Sequence, residues 1–540
     1  MTRNLETDMN TLRAVLRLAE SRDFAAASAL AEKTLADGFE HPMLLNVVAT
    51  RFEQEGNFEE SLKLLRRAVA MAPNDVGARH ALGLCLQRLD RPAEALGHID
   101  ELLRQHADLA FAHASRGNAL MALGSLGRAK QSHERALELE PQNFSATAAL
   151  ASIASHRGQH QEAREWAQRA LNIIPGYPDA VLCLAAADLA DKDLESAERR
   201  LQQLIIDSRA GPSDRARATG LLADVLDAAG RYDEAFEAYS ACNQAFRQIH
   251  SRFAGSNVLG YTRALNVAMR ALDAARWSFV PDAEPAAAGH VFLLGFPRTG
   301  TTLVEVVLDG NPRVVSLEEH ELLADGVRTF MREPVNFDAL AGADAAAVNA
   351  LRESYWRGVR AAGVDVAGKV FVDKHPLNSL KLPLIAKLFP RAKILFAARD
   401  PRDVILSCFR RRFQMNPSMY ELLTVPGAAA FYAATMEFAH TVKRSLGLTW
   451  HEIRYERLIA DFAGEMRAIC GYIGLEWTDS MGNFAQRVQA REHATPSTAQ
   501  LSRGLVASGV AQWRRYESQL APAMPMLQPW IEQLSDSETT

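Results

Sequence analysis

Residues Val291–Thr302 read VFLLGFPRTGTT: an apolar run that ends in a loop bounded by Gly295 and Gly300, after which Thr301 onward (TTLVEVVLDG) has helical spacing. The glycines enclose four residues, as in the phosphate loop G-x-x-x-x-G-K-[ST], but Thr301 stands where that motif has its lysine. An apolar strand, a glycine-bounded turn and a helix N-terminus, in that order, form an anion cradle of converging backbone N–H groups. Without the lysine that reaches the β- and γ-phosphates, a nucleotide-dependent kinase reading is weakened. The positive charge sits inside the loop instead, on Arg298. A buried parallel strand at this point predicts an α/β domain.

About a hundred residues on, Lys393–Ala398 (KILFAA) reads as a second buried strand. It delivers Arg399-Asp400-Pro401-Arg402-Asp403 and then a helical VILSCFRRR that carries Ser407. An arginine at a strand end and a serine two turns into the next helix can converge on one phosphate, and the planar guanidinium suits bidentate contact with its oxygens. Taken alone, the same residues read equally well as a surface Arg–Asp turn and a helix-interior serine.

Together the two loops resemble those of sulfotransferases. P-[RK]-[ST]-G-T-T is similar to the family's 5′-phosphosulfate loop, and the Arg399–Ser407 pair resembles its 3′-phosphate element, which holds 3′-phosphoadenosine 5′-phosphosulfate (PAPS). The resemblance runs over roughly residues 288–535, matches at five separated places in order, and is nearest to the protein-tyrosine sulfotransferase branch. It implies that Arg298, Thr299, Gly300, Thr301 and Thr302 hold the 5′-phosphosulfate and that Arg399 and Ser407 read the 3′-phosphate. Arg411, in the basic run Arg410–Arg412, would approach the nucleotide phosphates, and Tyr455 in HEIRYERLI would pack on the nucleotide.

The chemistry falls to three further positions. In that branch the general base lies 21 residues after the loop arginine, which from Arg298 gives Glu319 in LDGNPRVVSLEEHELL. Lys374, in VFVDKHPLNS, would contact the oxygen bridging sulfate and phosphate, and Ser497 (S-T-A-Q) would pair with the transferring group. Competing readings are a solvated helix start for Glu318, Glu319 and Glu321, an exposed turn for Lys374, and a core tyrosine for Tyr455. Asn378 reads as a helix-start or acceptor-positioning residue. One departure stands out: Gln512 precedes Trp513 where the family carries a basic residue, with Arg503 and Arg514 as compensating candidates. Basic side chains and loop dipoles neutralise the donor in this scheme, so no metal is implied.

The other half of the chain is periodic. Pro73, Pro141 and Pro175 share a 34-residue grid with Ala107; Ser61, Ala95, Ala129, Ala163 and Ala197 share a second; Gly56, Gly124 and Gly158 share a third, with Asp90 substituting. This is the tetratricopeptide (TPR) period: two antiparallel helices, a small residue where they pack, and a proline after the second. About seven units fit between residues 7 and 248. Such arrays present a concave face to peptides or protein segments, so a peptide, protein or carrier-bound acceptor is the expected partner, with self-association into a homo-oligomer as the competing use.

Global features fit two domains: 540 residues, 48% hydrophobic, net charge −5. That balance offers no footing for nucleic acid. Five scattered cysteines in apolar contexts suggest neither disulfides nor zinc. An N-terminus with early acidic residues and no apolar run of 18 predict a cytoplasmic protein without a membrane partner. The expected organisation is an all-α TPR solenoid (residues 1–273), a linker (274–289) and an α/β P-loop-like sulfotransferase domain with a parallel sheet (290–540). The implied activity is sulfuryl transfer from PAPS to a hydroxyl, with a protein tyrosine among the acceptors. A TPR scaffold with an inactive transferase domain and a P-loop kinase are the alternatives.

Overall fold

The computed structural model describes residues 5–21, 23–281, 286–490, 504–505 and 509–536. The chain forms two compact units, residues 1–190 and residues 191–490 with the C-terminal stretch.

The first unit is all helical. Its hairpins include Pro42–Gln54 with Phe58–Met71, Val76–Arg88 with Pro92–Gln105, Ala110–Ala122 with Leu126–Leu139, and Phe144–His156 with His160–Ile173. Each of these hairpins turns on a left-handed residue: Gly56, Asp90, Gly124 and Gly158, with φ of 76°, 57°, 75° and 70°. Glycine adopts that conformation freely and aspartate tolerates it, which explains the third grid. Ser61, Ala95, Ala129 and Ala163 are at most 1% exposed, because a larger side chain would push the paired helices apart. The recurrence of Asp75 and Asn143 two residues past the grid prolines is also explained: each caps the next helix, accepting from the N–H of Ala78 and Ala146.

The second unit is built on a five-stranded, all-parallel sheet: β1 Gly289–Leu294, β2 Val314–Glu318, β3 Val370–Lys374, β4 Lys393–Ala398 and β5 His451–Arg454, in the order β2-β3-β1-β4-β5. Strand alternation sends Phe292, Leu294, Phe371, Ile394 and Phe396 into one core and Val291, Leu293, Val370, Val372 and Leu395 into the other. With both faces covered, the strands read as continuous apolar runs. The chain leaves β1 toward β2 on one side and returns to β4 on the other, so the crevice at the carboxyl end of β1 is the switch point where such sheets bind ligands.

Helices Leu194–Ile206, Pro212–Ala228, Tyr232–Ile249 and Val258–Ala271 belong to this second unit. Ala223, Leu226, Ala235, Tyr239, Leu265 and Met269 share the core that covers Phe292 and Phe396. Among the described residues no helix is long and apolar enough to cross a membrane, and the five cysteines are free and buried.

Candidate active site

The loop after β1 is held by packing rather than by its own hydrogen bonds alone. A Cβ on Gly295 would lie 2.6 Å from the Ala397 carbonyl oxygen, and one on Gly300 2.7 Å from Tyr455 Cδ2. Gly300 has φ 98° and opens the Thr301–Leu308 helix. Arg298 is also left-handed, at φ 73°, a strained conformation for a residue with a Cβ. Gly295 N–H donates to Ser379 Oγ (3.2 Å), and that hydroxyl lies 2.5 Å from the Gly295 carbonyl and 2.8 Å from that of Pro376. Thr299 Oγ1 donates back to the Phe296 carbonyl at 2.7 Å. Thr301 is buried and Thr302 half-buried at the helix start.

Cations converge on this loop. Arg298 Nε donates to Ser407 Oγ at 3.0 Å, joining the loop to the Pro401–Phe409 helix that follows β4. Arg399, only 7% exposed, donates from Nη1 to the Arg298 carbonyl (3.0 Å) and from Nη2 to the Gly509 carbonyl. Its Nε has no hydrogen-bond partner among the described residues, and its guanidinium lies 4.6 Å from the Tyr455 ring centroid. Burial, and then repulsion from Arg411 and Arg399, pulls the Arg298 pKa down to about 9. Arg411 is likewise lowered, chiefly by burial, with Asp224 opposing. Guanidiniums that destabilise one another in this way mark a candidate anion site.

Beside it, the carboxyl ends of β2 and β3 place a second cluster. The register pairs Glu318 with Lys374, and Glu319 N–H donates to the Lys374 carbonyl at 2.7 Å. Lys374 has no exposed side-chain surface, yet its Nζ lies 2.5 Å from Glu318 Oε1, 2.8 Å from Glu319 Oε1 and 3.7 Å from Glu305 Oε2. Burial by itself would lower the Lys374 pKa, but the three carboxylates outweigh it and raise it. Glu319, another strained left-handed residue at φ 53°, is pushed up by desolvation, but Lys374, His375 and Arg298 together bring it below the ordinary carboxylate value. It is therefore ionised at neutral pH and able to accept a proton. Below, Tyr355 Oη donates to Asp373 Oδ2 (2.7 Å) and lies 2.9 Å from His290 Nε2.

The sequence-derived candidates thus fall into two neighbouring groups, Arg298–Thr302 with Arg399, Ser407, Arg411 and Tyr455, and Lys374 with Glu319. Ser497 and Arg503 lie outside the described residues. Asn378 is 1% exposed in the 3-10 turn Pro376–Lys381. Arg514 lies 5.8 Å from the Trp513 ring, and Gln512 Oε1 accepts from Arg410 Nη1 at 3.2 Å. A basic side chain at 512 would meet that guanidinium with like charge. Sequence reasoning missed Glu305, a lone charge within the apolar LVEVV helix and a readable signal. It also missed Ser379 and Asp403; the latter accepts from the N–H groups of Ala511 (2.7 Å) and Trp513 (2.9 Å) and so fastens the C-terminal stretch to the site. Among the described residues no group of three His, Cys, Asp or Glu is arranged to hold a metal ion.

Residues 290–479 match the profile of the sulfotransferase family, and residues 53–116 and 115–180 match tetratricopeptide-repeat profiles. The chain is 25% identical over 425 residues to an uncharacterized protein of Aquifex aeolicus (strain VF5), covering 75% of this chain and 53% of that protein. It is 24% identical over 204 residues to the protein-tyrosine sulfotransferase of Drosophila melanogaster (35% of this chain, 39% of the relative). To protein-tyrosine sulfotransferase 2 of Gallus gallus it is 26% identical over 204 residues (35% and 52%). The chain spans about half or less of the length of these curated relatives. Among solved structures it is similar to PilW, a type IV pilus biogenesis factor, with 20% identity and a TM-score of 0.35 over 42% of this chain and 100% of that one. A TPR region therefore precedes a sulfotransferase-like domain distantly related to the protein-tyrosine sulfotransferases.

Proposed function

We propose that the second unit is a PAPS-dependent sulfotransferase that transfers a sulfuryl group to a hydroxyl, the phenol of a protein tyrosine, and that the TPR array recruits the polypeptide bearing it. The observation that carries this reading is the juxtaposition at the sheet's carboxyl edge of a glycine loop ringed by Arg298, Arg399 and Ser407 with a buried Lys374 ion-paired to the half-exposed Glu319. Arg399 and Ser407 take the 3′-phosphate; Arg298 and the N–H groups of Thr299–Thr302 take the 5′-phosphosulfate. Glu319 accepts the hydroxyl proton as the acceptor oxygen bonds to sulfur. The bond from sulfur to the 5′-phosphate oxygen breaks, and Lys374 and Arg298 balance the charge on the departing adenosine 3′,5′-bisphosphate. These side chains supply the charge stabilisation, so the reading requires no metal. Reduced, buried cysteines suit a cytoplasmic setting.

Calorimetric titration with adenosine 3′,5′-bisphosphate, without metal, tests this. Wild type is expected to bind, and Arg399→Ala to bind about 10–100-fold more weakly, the range for losing a charge-assisted contact. A wild type that ignores the bisphosphate but binds ATP with magnesium would overturn the reading in favour of a kinase.

A further inference from the structure

Arg410, Arg411 and Arg412 follow directly on the Pro401–Phe409 helix, and their surroundings differ. Arg410 Nη2 is 2.8 Å from Asp227 Oδ2, and its Nε donates to Tyr239 Oη at 3.2 Å. Arg412 Nη2 is 2.8 Å from Asp224 Oδ2. Both aspartates sit on the Pro212–Ala228 helix three residues apart, hence on one face. Each is itself fixed by a phenol: Tyr239 Oη donates to Asp224 Oδ1 (2.7 Å) and Tyr516 Oη to Asp227 Oδ1 (2.6 Å). Asn243 Nδ2, on the next helix, donates to the Phe409 carbonyl at 2.9 Å, just ahead of the run. Arg411 has no ion pair among the described residues; its charge opposes that of Arg298, while Asp224 attracts it from a distance. Three successive arginines left to themselves would splay apart by repulsion; here the outer two are neutralised and clamped.

We infer that Asp224 and Asp227 are positioning residues for donor binding: by clamping Arg410 and Arg412 they hold Arg411 toward the nucleotide phosphates. The inference rests on the PAPS-site reading above. It makes a repeat-like helical hairpin, Pro212–Ile249, part of the transferase's anion site.

The test is a cycle on the full chain, titrated with adenosine 3′,5′-bisphosphate: wild type, R411A, D224N/D227N and the triple variant. R411A and D224N/D227N are each expected to weaken binding about tenfold, and the triple variant to be within about twofold of R411A. A merely structural role predicts losses that multiply in the triple variant, and that result overturns the inference. So does normal binding by D224N/D227N, or by R411A itself. Asp227→Glu, which keeps the carboxylate, is expected to retain binding. If D224N/D227N does not fold, Tyr239→Phe, which leaves both carboxylates in place, carries the same cycle with a smaller loss. Failure of wild type to bind at all sinks the sulfotransferase reading first, so the two failures are distinguishable.

Discussion

Replacing Lys374 with methionine separates the structural part of this lysine's role from any part in chemistry. Its ammonium is the cation within reach of three carboxylates, at 2.5, 2.8 and 3.7 Å, and those carboxylates differ in exposure: 18% for Glu318, 53% for Glu319 and 2% for Glu305. The two more exposed groups can rehydrate and add little. Glu305 cannot, so K374M takes the ammonium away from a buried carboxylate, a change that costs about 3–5 kcal/mol. Adding Glu305→Gln removes that charge while keeping an acceptor for Ser316 Oγ, which donates to Glu305 Oε1 at 2.9 Å. The double variant should regain about 1–3 kcal/mol. Urea unfolding followed by tryptophan fluorescence reads this directly, because six of the seven tryptophans (all but Trp166) lie beyond residue 190, in the unit concerned. A K374M chain within about 1 kcal/mol of wild type, or no recovery with E305Q, would refute the argument that Lys374 holds the buried carboxylate.

Three further outcomes are expected. Arg298→Met should leave the thermal midpoint unchanged or raised, since a buried guanidinium beside Arg399 and Arg411 opposes folding, while bisphosphate affinity drops about tenfold or more; a clear fall in midpoint would make Arg298 a structural residue. Burial lifts the Asp373 carboxyl to about 6, above its ordinary value of 3.8, so the folded state holds that proton more tightly and gains stability as pH falls through about 6 toward the unfolded value. His290, pulled down to about 3 by burial, works the opposite way below its ordinary 6.5 and largely cancels when wild type is compared with Asp373→Asn. Wild type should gain on D373N between about pH 7 and pH 4, and a flat difference in urea midpoints would contradict the burial argument. Finally, a chain starting at residue 191 should be soluble, whereas one starting at residue 274 should aggregate, having lost Ala223, Leu226, Ala235, Tyr239, Leu265 and Met269 from the core; equal solubility of the two would show that these helices are dispensable to the fold.

Both architectures are legible in the chain because each is written in local, periodic terms. The helical hairpins follow from a 34-residue recurrence whose glycine, alanine and proline phases correspond to a left-handed turn, a close helix contact and a helix end. The parallel strands follow from apolar runs such as VFLL and KILFAA, unbroken because both faces of the sheet are covered. The glycine loop is legible for a similar reason: Gly295 is required by the Ala397 carbonyl and Gly300 by the Tyr455 ring, each closer than a Cβ allows.

What no local pattern carries is the company each charge keeps. Glu318 and Glu319 read as helix-start carboxylates, and only the β2–β3 register, with the Thr301–Leu308 helix supplying Glu305, brings three carboxylates to one buried ammonium. Arg410–Arg412 reads as one basic run, and only packing against the Pro212–Ala228 helix divides it into two arginines clamped by aspartates and one with no ion pair among the described residues. Periodicity and glycine placement are short-range steric demands on the backbone, so sequence alone determined the two folds and the glycine loop. The electrostatics of the site depends on burial and on partners 55 to 188 residues away, and that was decided only when the tertiary structure chose each charge's neighbours and its exposure to water.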